Sequence, residues 1–110
     1  MAKEYFKKLS DLISVLDIES EVALPIEVRH FFSGAALYVD GTIRASWSPA
    51  GLAFKLPETE VAELINRGVA KPLKYFAKGH IKKGYALFAN PDLSKPKEWR
   101  KYFLTAALQR

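Results

Sequence analysis

The sequence predicts an α+β domain of two layers, and three observations carry that expectation. Stretches with helical periodicity stand near both ends and in the middle. Short runs with β-type alternation, separated by tight-turn signals, stand between them. The first three strands follow one another without intervening helices, which argues against a βαβ parallel sheet. The expected order is helix, three-stranded antiparallel meander, helix, two strands, helix.

Each element has its own residues behind it. Over 3–17, Tyr5, Phe6, Leu9, Leu12, Ile13 and Leu16 fall at spacings of three and four, with Lys and Asp on the other side. Glu19–Pro25 breaks this pattern and reads as a loop. Ala35–Val39 is a strand-like run, and Asp40-Gly41 is a two-residue hairpin signal. Thr42–Ser48 alternates, which places Ile43, Ala45 and Trp47 on one face and Thr42, Arg44 and Ser46 on the other. Pro49-Ala50-Gly51 turns the chain into a third strand, Leu52–Leu56. Pro57 sits at a helix start with Glu58 and Glu60 in the first turn. Val61, Leu64 and Ile65 supply the buried stripe, and Gly68 ends it. Pro72–Phe76 is irregular or extended, and Lys83–Phe88 is a strand. Ser94 is a candidate cap for a last helix carrying Trp99, Tyr102, Phe103 and Ala106.

The 110 residues are 49% hydrophobic, 26% charged and 13% aromatic, which fits one ordinary domain over 1–110 and excludes disorder. A chain of this size buries roughly two-thirds of its unfolded surface. No apolar run reaches the ~18 residues of a spanning helix. The N-terminus lacks the apolar core of a signal peptide, so the expected compartment is the cytoplasm, with no membrane partner. The absence of cysteine excludes disulfides, thiolate metal sites and cysteine nucleophiles.

Charge is uneven. The net charge is +5, but residues 1–63 carry six basic and ten acidic side chains (−4), while residues 64–110 carry eleven and two (+9). A basic half attracts polyanions, or is simply a solvated lysine-rich face.

No catalytic constellation stands out. There is no phosphate-binding glycine loop, dinucleotide fingerprint, HExxH or nucleophile elbow, and His30 and His80 stand alone without nearby carboxylates at metal-ligand spacing. The expectation is a protein that is not an enzyme and needs no cofactor or metal. Arg29 beside His30 reads either as an anion clamp or as a structural hydrogen-bond donor to loop carbonyls with His30 facing solvent. Lys83-Gly84-Tyr85-Ala86 fits the start of an RNA-recognition consensus, but Leu87 and Asn90 occupy the positions where further aromatics belong, so Tyr85 equally reads as a sheet residue. Lys71, Lys74, Lys78, His80, Lys82 and Lys83 flank Tyr75, Phe76 and Tyr85. Basic groups interleaved with aromatics suit a single-strand platform, or a charged loop with its rings turned inward.

Arg29, Phe32-Ser33-Gly34, Ala36–Gly41, Gly51–Lys55, Pro72–Phe76 and Lys82–Phe88 come in an order that resembles the N-terminal domain of the TfoX/Sxy family of competence regulators. The resemblance runs from about Glu27 to Leu108. It implies a two-layer α+β fold of the secretion-chaperone type. Full-length relatives, in enteric and related bacteria, regulate DNA-uptake genes with the cyclic-AMP receptor protein and carry a further helical domain. A chain ending at Arg110 reads as a stand-alone member without it. Family members usually carry Phe-Gly-Gly where this chain has Phe32-Ser33-Gly34.

The resulting expectation is a non-enzymatic cytoplasmic regulatory module that acts through protein contacts and forms a homodimer by an exposed strand edge. A second expectation is direct nucleic-acid binding, with Lys74, Lys78, Lys82 and Lys83 on phosphates and Tyr75 and Tyr85 on bases. A third is an anion or metabolite sensor around Arg29, Lys55 and Tyr85.

Overall fold

A computed structural model describes residues 2–73 and 82–108. Its first helix, α1 (Ala2–Val15), buries Leu9 and Ile13, with Leu16 buried just past its end, and packs Tyr5, Phe6 and Leu12 against the same core, as the periodicity requires. The helix stops at Val15, two residues earlier than predicted. Asp17 adopts φ +53°, its N–H donates to the Ser14 carbonyl, and the Ile18 N–H reaches back to Ile13. This is a Schellman closure, and Ile13 and Ile18 at its two ends both belong to the main core. A single 3₁₀ turn follows at Glu19–Glu21.

Past the loop expected over Glu19–Pro25 comes a strand that the sequence reading missed, β1 (Ile26–Phe31). Beyond it lie β2 (Gly34–Val39), β3 (Thr42–Ser48) and β4 (Gly51–Lys55). The meander therefore has four strands, not three. In β1 only Ile26 and Val28 meet the core, while Glu27, Arg29 and His30 are exposed, so its alternation is diluted by charge. Asp40 and Gly41 both take positive φ, which builds the hairpin predicted from that dipeptide.

A bulge corrects the facing of β3. Leu37 pairs with Ala45 but Tyr38 pairs with Ile43, so Arg44 is the extra residue. Ala45 and Trp47 join the main core, whereas Ile43 packs with Ala53, Leu73, Tyr85 and Leu87 on the opposite face. A strict alternation had put all three on one side.

Glycine is required by close approach at two positions. A Cβ on Gly34 would overlap the Trp47 carbonyl, and one on Gly51 would overlap the Phe88 carbonyl. Both stand where strands are drawn tightly together. Ser33, by contrast, does not occupy the left-handed region, which in that turn falls to Phe32 at φ +52°.

The second helix, α2 (Glu58–Asn66), starts on Pro57 and ends in another Schellman closure. Gly68 takes φ +73° and the Val69 N–H reaches back to Leu64. Two strands complete an antiparallel sheet of order β1-β2-β3-β4-β6-β5, in which β5 is Lys71–Leu73 and β6 is Lys82–Phe88. Of the stretch 72–76 only its first two residues lie within the described structure, and they belong to β5.

The last helix, α3 (Pro96–Leu108), begins differently from expectation. The Asp92 carboxylate accepts bonds from the Ser94 N–H at 3.0 Å and its hydroxyl at 2.6 Å, so Asp92 shapes the turn and Ser94 is its donor. Trp99, Tyr102 and Phe103 then pack on Phe54 and Phe88. Phe103 meets Phe54 edge-on at 4.8 Å, and Trp99 meets Phe88 edge-on at 5.1 Å. The Trp99 Nε1–H donates to the Asp92 carbonyl at 2.7 Å, leaving no orphaned indole. Arg100 Nε donates to the Leu16 carbonyl at 2.9 Å, placing a cation at the C-terminal end of α1. The three helices share one main core with Leu37, Trp47, Phe54 and Phe88, so the architecture is two-layer α+β. Among the described residues, no helix is long and apolar enough to cross a membrane.

Candidate functional site

The sheet face opposite the helices gathers several of the residues singled out from sequence. Arg29 pairs across the strands with Ala36, and its guanidinium lies 4.8 Å over the Tyr38 ring. Its Nη2 donates to Glu27 Oε1 at 2.8 Å. That bond holds the Glu27 carboxyl below the usual range and raises Arg29 above its own. His30, one residue on, projects to the other face and stacks on Phe6 at 4.8 Å. Arg29 and His30 therefore do not close on one anion, and the partner of Arg29 is a carboxylate rather than a loop carbonyl.

Lys55 and Tyr85 are cross-strand partners on β4 and β6. Tyr85 is only 6% exposed, and its hydroxyl donates to the Ile43 carbonyl at 3.3 Å. Burial pushes its phenol up, against a smaller opposing effect of the Arg44 charge. Three strand spacings separate Arg29 on β1 from Lys55 on β4, roughly 14 Å. The structure thus brings Lys55 and Tyr85 together and leaves Arg29 apart. Lys82 and Lys83 fall on β6, where Lys82 pairs with Leu73. Lys74, Tyr75 and Lys78 lie outside the described residues.

Arg44 is the residue on this face that sequence reasoning passed over. Its Nε and Nη1 atoms are buried, with no hydrogen-bond partner among the described residues. Read as one member of an alternating strand, it falls with Thr42 and Ser46 and carries no mark of burial. Nothing in the local sequence announces the bulge that turns it.

Two grooves border β1. Phe31, Phe32, Ser46, Ser48 and Leu73 line one of about 240 Å³ beside the β1–β2 turn. Another, of about 280 Å³, runs between α1 and β1 and is lined by Ser10, Ile13, Asp17, Glu19, Ile26 and Val28. Among the described residues, no three His, Asp or Glu side chains converge as metal ligands would.

The β1 edge itself has a defined polarity. The Asp40 N–H donates to the Pro25 carbonyl at 2.8 Å, and these residues continue the register in which Ile26 faces Val39. Antiparallel pairs alternate between bonded and non-bonded. Glu27, Arg29 and Phe31 therefore turn their backbone groups toward β2. Ile26, Val28 and His30 turn theirs outward, and among the described residues no backbone group bonds to them.

The α+β architecture is the one that the resemblance implied. A family model for the TfoX N-terminal domain matches residues 21–109. The chain belongs to the TfoX N-terminal domain family. No curated protein matches it. The family segment takes in the six described strands, α2 and α3, together with the close-approach glycines Gly34 and Gly51. Helix α1 precedes it, yet α1 supplies Leu9 and Ile13 to the core.

Proposed function

We propose that this TfoX N-terminal-domain protein is a regulatory binding module that works through protein–protein contacts and catalyses no reaction itself. The observation that carries the reading is the open edge of β1. It offers the outward N–H and C=O groups of Ile26, Val28 and His30 in a six-residue strand with unbroken register to β2. Such an edge is a template for a strand of another chain. The opposite edge is a poorer one, because β5 spans three residues and Pro72 lacks an N–H.

The test sets protein contact against nucleic-acid contact. A photo-crosslinking side chain at His30, on the open edge, is expected to capture protein in cells. The same probe at Lys97, on the exposed side of α3, captures none. Fluorescence anisotropy with duplex DNA and single-stranded RNA is expected to show no salt-sensitive binding. Affinity that falls steeply as salt rises, with no crosslink at His30, would transfer the function to nucleic acid, because released counterions set that slope.

A further inference from the structure

We infer that the strand which completes the β1 edge is β1 of a second copy, paired antiparallel about a two-fold axis through Val28. The inference rests on the protein-contact reading above and names its partner. Only residues with outward backbone groups can form the bonded pairs of a new ladder, so Ile26, Val28 and His30 must meet one another. This leaves few registers. Pairing Val28 with the partner's Val28 engages all of them, with Ile26 opposite the partner's His30 at both ends.

Charge then selects among the registers. On the intervening positions, the central register sets Glu27 opposite the partner's Arg29, and Arg29 opposite the partner's Glu27. These are non-bonded pairs, where side chains approach most closely. A slip of two residues one way pairs Glu27 with the partner's Glu27. A slip the other way pairs Arg29 with the partner's Arg29. Both slipped ladders are shorter and bring like charges together. Glu27 and Arg29 are exposed and already 2.8 Å apart within one chain, so the dimer would join four charges of alternating sign on one face. The same register carries the partner's His30 to Ile26, at the end of the groove where Asp17 and Glu19 lie.

Space permits the pairing. Helix α1 packs chiefly on β2. A two-fold axis half a strand spacing beyond β1 therefore puts the two α1 axes roughly 14 Å apart. That exceeds the ~8–10 Å of packed helices, so the helices do not collide.

The test is a charge-swap series followed by sedimentation equilibrium. The wild-type chain is expected to dimerise. Glu27→Arg alone, or Arg29→Glu alone, places like charges opposite each other twice, and each is expected to weaken the dimer roughly tenfold. The double variant E27R/R29E restores the complementarity and the dimer. An equimolar mixture of the two single variants is expected to form a heterodimer tighter than either homodimer, a pattern that loss of folding cannot produce. Dimerisation indifferent to these charges overturns the pairing. So does a wild-type chain that stays monomeric. If His30 then still crosslinks to a different protein, only the self-pairing fails; if it crosslinks to none, the wider reading falls with it.

Discussion

Tyr85 and Arg44 sit a few residues from strand ends, yet their environments differ from those of ordinary sheet-surface residues. Tyr85 is nearly buried, donates to the Ile43 carbonyl and has its phenol pushed up by that burial. A raised folded pKa favours the neutral form, so the stability it contributes is complete below the ordinary tyrosine value of about 10. It is lost as the pH rises through the raised folded value. Tyr85→Phe is expected to cost about 1 kcal/mol at neutral pH, the net worth of the lost hydrogen bond. It is also expected to flatten the fall in Tm between about pH 9 and 11. Thermal denaturation across that range checks both. A variant whose alkaline limb matches the wild type would show that Tyr85 is not the group being titrated. Burial also pushes Tyr102 up, so some alkaline sensitivity survives the substitution.

At the scale of elements, the turn before α3 rests on Asp92. Its carboxylate takes two bonds from Ser94, which hold it below its ordinary value, and its carbonyl receives the Trp99 indole. A lowered folded pKa means stability that is present above the ordinary aspartate value of about 4 and lost as the pH falls through the lowered one. Asp92→Ala is expected to reduce Tm by a few degrees at neutral pH, and by less under acid, where the wild type has lost the same bonds. Equal losses at both pH values would contradict that role. Most elements were legible from local chemistry: the stripe of α1, the Asp40-Gly41 hairpin, Pro57 and Gly68 bounding α2, and the aromatic spacing of α3. What stayed hidden depends on partners distant in sequence. Strand β1 is recognisable only once its inner face meets the core, because its outer residues are charged. Ile43 and Arg44 follow from a bulge set by pairing with Tyr38, which no alternation along one strand reveals. Serine at position 94 has the chemistry of a cap, but the carboxylate two residues earlier claims its donors. The clamp reading of Arg29 with His30 fails for the plainest reason, since neighbouring strand residues face opposite sides.

Across the whole molecule, three helices cover one face of a six-stranded sheet and leave its two edges unequal. One edge is short and carries a proline. The other is a regular strand whose outward backbone groups have no backbone partner among the described residues, and it is there that we propose the second copy pairs. The chain belongs to the TfoX N-terminal domain family, and we propose the β1 edge as its means of contact. Hydrogen exchange of the backbone amides at several protein concentrations tests this account most directly. The Glu27, Arg29 and Phe31 amides face β2 and are expected to be protected at every concentration. The Val28 and His30 amides face outward and are expected to exchange freely in dilute solution and to gain protection as the concentration rises. If they exchange freely at all concentrations while the dimer forms, the contact lies elsewhere on the molecule and the central claim is wrong.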